Sequence, residues 1–129
     1  WLNNRLTPEK IICSAAYRAY QTGLIVSNTF LLQKQFFVFD ELYQASAVKL
    51  KNQIETESSH IKCLVVVGHN PGIEQLALSL CPDLQIYNNH LMSTASVVWI
   101  EVDSDWQFLA ISNCRLVQYI SPKMLHKSM

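Results

Sequence analysis

Short apolar runs alternate with helical periodicities along the first two thirds of this chain. Three runs of four or five residues are rich in β-branched or aromatic side chains, which predicts strands at residues 11–14, 36–39 and 63–67. Each run is followed by apolar positions spaced three and four apart, as on the buried face of a helix; after the third run these are Ile73, Leu76, Ala77 and Leu80. The third run is unbroken, which predicts a central strand buried on both faces.

The last third predicts a different arrangement. Pro82 ends the helix that follows the third strand. Residues 93–102 and 106–112 then predict two antiparallel strands at one edge of the sheet, joined by a tight turn at 103–105. The element order predicts one layered α/β domain over residues 1–129, with a mostly parallel central sheet and an antiparallel edge.

Composition excludes several function classes. Of the 129 residues 50% are hydrophobic and 16% are charged, and ten Lys and Arg balance ten Asp and Glu. A neutral chain without basic clusters argues against nucleic acid and against an anionic membrane surface as partners. Four cysteines and four histidines show no metal-ligand spacing, which predicts free thiols, no metal, no other cofactor and a cytoplasmic protein.

The candidate chemistry lies where predicted strands end and helices begin. His69 ends the third strand and faces a helix amino terminus, a position that favours anions. Ser14 ends the first strand as a predicted helix cap, and Tyr17 and Tyr20 of that helix are predicted to pack in the core. Arg18 lies in the first turns of this helix, where a cation opposes the helix dipole. We therefore expect Arg18 either to bind an anionic partner or to pair with a group on the surface.

Three segments together resemble the histidine phosphatase superfamily, which includes phosphoglycerate mutases and acid phosphatases. They are SAAYRAYQT at residues 14–22, ELYQAS at 41–46 and LVVVGHNPG at 64–72. The resemblance implies a three-layer α/β/α, phosphoglycerate mutase-like fold. Glu41 and His69 are separated by only 27 residues, which leaves no room for the lid of the larger members. The chain therefore resembles the compact SixA-type phosphohistidine phosphatases.

The resemblance also implies a reaction and its residues. The family transfers a phosphoryl group in two steps through a phosphohistidine, without a metal. Arg18 and His69 would bind the phosphate and act in catalysis, and Ser14 would be a further phosphate contact. Glu41 is the candidate acid for the leaving group, and Asp40 is its rival. The implied substrate is a phosphorylated protein or a small phosphate ester.

One part of the family pattern does not occur in this sequence. The nucleophilic histidine of the family lies in an Arg-His-Gly motif at the end of its first strand, and the 129 residues contain no such motif. Trp1 and Leu2 resemble the last turn of a helix, so we expect the first strand and the nucleophile to precede Trp1. The alternative is a non-catalytic module of the same fold that binds phosphate-bearing ligands.

Overall fold

The three predicted apolar runs form one parallel sheet. The computed structural model describes residues 7–87 and 96–120. Strand β1 is Lys10–Ser14, β2 is Phe36–Phe39 and β3 is Leu64–Val67. Their order is β2-β1-β3, and both pairings are parallel. Among the described residues the middle strand is therefore β1, and there the prediction that the third run is central and buried on both faces is wrong. All four residues of β3 are only half-buried because one edge of this strand has no neighbour among the described residues.

Helices cover both faces of this sheet. Helix α1 is Tyr17–Thr29, α2 is Ala47–Glu55 and α3 is Gly72–Leu80. Successive side chains of β1 point to opposite faces. Ile11 and Cys13 pack with α1, whereas Ile12 packs with α2 and α3, and all three are fully buried. The predicted three-layer α/β/α arrangement is thus confirmed. Within the described ranges, no helix is long and apolar enough to cross a membrane.

Helix α1 approaches the sheet through small residues. Its buried positions are Ala19, Gly23 and Ser27. A Cβ atom at Gly23 would lie 2.7 Å from a ring carbon of Phe36, so the helix could not lie this close with a larger residue.

The tyrosines of α1 face outward as a consequence. Tyr17 is 74% exposed and Tyr20 39% exposed, so the prediction that they pack in the core is wrong. The predicted cap is also corrected: Ala16 precedes the first helical residue, and no side chain caps this helix.

The antiparallel pair is present, but its second strand is displaced from the predicted position. Strand β4 is Val97–Val102 and β5 is Cys114–Ile120, with an irregularity in register between Trp99 and Ile100. Residues 106–112, predicted as a strand, instead contain short 3-10 turns, because Trp106 and Leu109 pack into the core three residues apart. Residues 93–95 of the predicted first strand lie outside the described ranges.

The two sheets do not join across the described part of the chain. Strand β3 pairs only with β1, and β4 pairs only with β5. Between them lies a groove of about 1160 Å³, which we call the β3–β4 groove. It is lined by residues of β3 and β4 and by side chains from α1 and α3.

Candidate functional site

The three strand ends that carry the candidate residues meet at one edge of the parallel sheet. In the register of this sheet Ser14 lies beside Phe39, and Cys13 lies beside Val67. The residues that follow these strands therefore lie at the same carboxyl edge, where α/β sheets bind ligands. The fold brings Arg18, Glu41 and His69 to this edge from three separate segments.

His69 has an unmet hydrogen-bonding group. Its Nε2 atom is buried and has no hydrogen-bond partner among the described residues. Its carbonyl oxygen accepts a hydrogen bond from the backbone nitrogen of Ile73 at 2.9 Å, which fixes the residue at the start of α3. A buried polar atom without a partner costs about 1–3 kcal/mol. An anion oxygen in the β3–β4 groove, which His69 lines, would remove this cost.

Arg18 lines the same groove from the opposite helix. It is the second residue of α1, its side chain is exposed, and within the described ranges it makes no ion pair. The guanidinium fork is therefore available to an anion, and its planar donors match two oxygens of a phosphate. Of the predicted site residues, Arg18 and His69 are the two that line the groove.

Glu41 and Asp40 lie outside the groove lining. Both are exposed and belong to a short 3-10 turn, Asp40–Leu42, that follows β2. Leu42 is only 1% exposed and anchors this turn in the core. The two carboxylates therefore lie at the correct sheet edge but are more open to solvent than His69.

Ser14 is fully buried. Its Oγ accepts a hydrogen bond from the backbone nitrogen of Ala16 at 3.2 Å, and the residue does not line the groove. This bond stabilises the bend between β1 and α1, which sets the position of Arg18.

Two features were missed at the level of sequence. Thr22, one helical turn after Arg18, lines the groove too, and the i, i+4 spacing was a signal for this. Gly72 is the second feature, and its sequence context carries no sign of its packing role. A methyl group there would overlap the carbonyl oxygen of Ala45, so this glycine lets the His69 turn pack directly against the segment at 41–46.

Metal-ligand clusters and cysteines are the other features that could carry chemistry in the described ranges. No cluster of three or more His, Cys, Asp or Glu side chains suited to a metal occurs there. All four cysteines are free. Burial raises the pKa of the Cys13 thiol to about 11, so this thiol is protonated at neutral pH.

No sequence-family profile matches the chain. The uncharacterized protein ML1117 of Mycobacterium leprae (strain TN) is 26% identical, and the match covers 95% of this chain and 78% of that protein.

Solved structures match more strongly. A candidate phosphohistidine phosphatase SixA from Nakamurella multipartitia superposes with a TM-score of 0.77 at 19% identity, over 95% of this chain and 76% of that one. A candidate SixA from Agrobacterium tumefaciens gives 0.76 at 20%, over 93% and 71%. The protein histidine phosphatase SixA bound to tungstate gives 0.72 at 20%, over 96% and 75%. The chain therefore has the phosphoglycerate mutase-like fold that these SixA structures share.

Proposed function

We propose that this chain forms the phosphate-binding part of a metal-independent phosphatase that works through a phosphohistidine intermediate. The observation that carries the proposal is the buried, unpartnered Nε2 of His69 in a groove that the guanidinium of Arg18 also lines. A solved neighbour holds tungstate, an oxyanion of the same tetrahedral kind as phosphate, and this supports oxyanion binding by the fold.

In this mechanism Arg18 binds two oxygens of the phosphoryl group, and His69 Nε2 donates to a third as negative charge develops. In a form of the protein that contains an Arg-His-Gly segment, the histidine of that segment would form a bond to phosphorus as the bond to the leaving group breaks. Glu41, or its neighbour Asp40, protonates the leaving group, and both are solvent-exposed at the sheet edge. Water then attacks the phosphohistidine and releases phosphate. Ser14 acts through the backbone, because its buried Oγ holds Ala16.

The proposed substrates are phosphohistidine proteins or small phosphomonoesters. A site without a lid leaves room for a phosphorylated side chain on a protein surface, and it admits the water that hydrolysis needs. The second candidate is a non-catalytic module that binds phosphate-bearing ligands, which the lack of Arg-His-Gly in these 129 residues favours. The coding sequence before Trp1 separates the two.

The first prediction is that a form containing Arg-His-Gly hydrolyses an aryl phosphate in the presence of a chelator. Because Arg18 contacts the transferred group, Arg18→Ala should lower kcat/KM by about 100-fold or more. Arg115→Ala is the matched control, since Arg115 is exposed and pairs with Glu101 on β4 at 2.7 Å. Activity that the chelator abolishes, or an Arg18→Ala variant as active as Arg115→Ala, would overturn the mechanism.

A further inference from the structure

We propose that the outer edge of β2 and the neighbouring side of α1 form a surface through which two copies of this chain associate about a two-fold axis. This β2 edge surface consists of β2, the flanking residues Lys34 and Asp40, and Tyr17, Tyr20 and Leu24 of α1. The β2 strands of the two copies run antiparallel, so the sheet of one copy continues into the sheet of the other. The association does not depend on the phosphatase reaction.

The first observation is the open edge of β2. Within the described ranges β2 pairs with β1 on one side and with no strand on the other. All four residues of β2 are apolar, and Phe37 and Val38 are each 40% exposed. Such an edge recruits another strand unless a proline, a charged side chain or a bulge blocks it, and β2 contains none of these. Strand β5 also has an unpaired side in the described ranges, but it contains Arg115 and Gln118.

The second observation is an apolar stripe on α1. Tyr17, Tyr20 and Leu24 are spaced three and four residues apart, as on the buried face of a helix, yet Tyr17 is 74% exposed and Tyr20 39% exposed. The stripe lies on the β2 side of the helix, because the ring of Tyr20 stacks on the ring of Phe36 with centroids 5.9 Å apart. A different face of α1 packs on the sheet. The stripe therefore extends the apolar edge of β2.

The third observation is that the two ends of β2 carry opposite charges. Lys34 precedes the strand, and Asp40 and Glu41 follow it. All three side chains are exposed, and within the described ranges they make no ion pair. In an antiparallel pair of β2 strands each lysine lies near the carboxylates of the other copy, whereas in a parallel pair like charges meet. The surface is therefore complementary to a second copy of itself.

Two-fold symmetry limits how two β2 strands can pair. The axis is perpendicular to the sheet and passes between two copies of one residue, because opposite residues of antiparallel strands point to the same face. The axes that keep most of the strand paired lie at Phe37 and at Val38. With the axis at Phe37, Lys34 lies opposite Asp40 of the second copy, since each is three positions from the axis. With the axis at Val38, Lys34 lies opposite Leu42, which is buried. Charge complementarity therefore selects Phe37.

The spacing of the helices fits this arrangement. Helix α1 lies over both β1 and β2, since a Cβ atom at Gly23 would approach the side chains of Cys13 and Phe36. With about 4.8 Å between strands, the axes of the two α1 helices are about 10–14 Å apart across the symmetry axis. Helices in direct contact are about 8–10 Å apart, so long side chains are needed to fill the difference. Tyr17 and Tyr20 are the long side chains of the stripe.

Sedimentation velocity of the 129-residue chain tests the association. We expect a reversible equilibrium between monomer and dimer over about 1–100 µM, because a surface of this size binds weakly. Lys34→Glu and Asp40→Lys each place like charges across the axis twice, so each should raise the dissociation constant at least about tenfold. The double variant restores opposite charges and should dissociate as the wild type does. Lys49→Glu is the matched control, since Lys49 is exposed and lies on α2, outside the β2 edge surface.

A second pair of variants and hydrogen exchange locate the interface. Tyr17→Ser should raise the dissociation constant at least about tenfold, because it removes an aromatic side chain from the stripe. Ile25→Ser should leave it unchanged, since Ile25 is on the same helix, 68% exposed and outside the stripe. Both substitutions are at exposed positions, so the fold is retained. Amides of β2 should exchange more slowly as the protein concentration rises, whereas those of β1, which is paired on both sides, should not change.

Four results would overturn the proposal. The first is a wild-type chain that stays monomeric, since the β2 edge would then be left to a strand of a different protein. The second is a dimer that neither charge reversal weakens, and the third is a double variant that fails to restore association. The fourth is an equal effect of Tyr17→Ser and Ile25→Ser. Rescue by the double variant would show that the single charge reversals act at the interface and not through the fold.

Discussion

The imidazole of His69 and the guanidinium of Arg18 are both available to bind an anion. The Nε2 atom of His69 is buried and has no hydrogen-bond partner in the described ranges, and Arg18 is exposed and makes no ion pair there. A tetrahedral anion between them would accept hydrogen bonds from both, and the buried nitrogen would lose its unmet requirement. The phosphate-binding role proposed for these residues rests on this complementarity.

Gly72 is the residue on which the packing of the His69 turn depends. Gly72→Ala should destabilise the fold by about 1–3 kcal/mol, because the added methyl group overlaps the Ala45 carbonyl, which belongs to the backbone and cannot move away cheaply. Denaturant unfolding measures this change.

Gly68→Ala is the control for this prediction. A Cβ atom at Gly68 would be 3.6 Å or more from its neighbours, an ordinary contact, so the free energy of unfolding should change by less than about 1 kcal/mol. Equal stability of the two variants would show that the packing of Gly72 on Ala45 is looser than described.

At the scale of elements, the sequence was most informative where periodicity is unambiguous. The three apolar runs correspond to β1, β2 and β3, and the spacing of Ile73, Leu76, Ala77 and Leu80 corresponds to α3. These patterns follow from burial along a single element, so they can be predicted without knowledge of its neighbours.

The errors arose where a neighbouring element decides the outcome. Tyr17 and Tyr20 have helical spacing, but α1 instead turns Ala19, Gly23 and Ser27 towards the sheet. Trp106 lies in a segment that resembles a strand, but its Nε1 donates a hydrogen bond to the carbonyl of Ile61 at 2.8 Å, which holds the segment in a turn. Packing of this kind between distant segments leaves no local signal.

For the molecule as a whole, the separation of the two sheets within the described ranges is the feature that the sequence pattern could not reveal. The groove arises from the relation of β3 to β4, which are separated along the chain by α3. Motif order predicted that Arg18 and His69 lie together, and in the structure both residues line one groove. The absence of Glu41 from that lining was not predictable, since turn geometry determines it.

The buried thiols predict how the stability of the whole molecule depends on pH. Burial raises the pKa of Cys13 from 9.0 to about 11, and burial together with Cys114 and Asp83 raises that of Cys81 to about 11. Between pH 9 and 11 the folded state therefore binds more protons than the unfolded state. The stabilisation is fully present below pH 9 and is lost as the pH rises towards 11, by up to about 1.4 kcal/mol per pH unit for each thiol.

Denaturant unfolding from pH 8 to 11 tests this dependence. Cys13→Ala lowers stability at every pH, because it leaves a cavity, but its stability should fall less steeply above pH 9 than that of the wild type. Parallel curves for the two proteins would contradict the raised pKa of Cys13.

The central claim is that Arg18 and His69 together bind a tetrahedral oxyanion, and calorimetric titration of the 129-residue chain with tungstate tests it most directly. We expect one site, with affinity reduced about tenfold or more in His69→Ala and in Arg18→Ala, since each removes a hydrogen bond to a charged ligand worth about 1.5–3 kcal/mol. Arg115→Ala should bind as the wild type does, because that arginine already pairs with Glu101. Equal tungstate affinity for the wild type and His69→Ala would contradict the account.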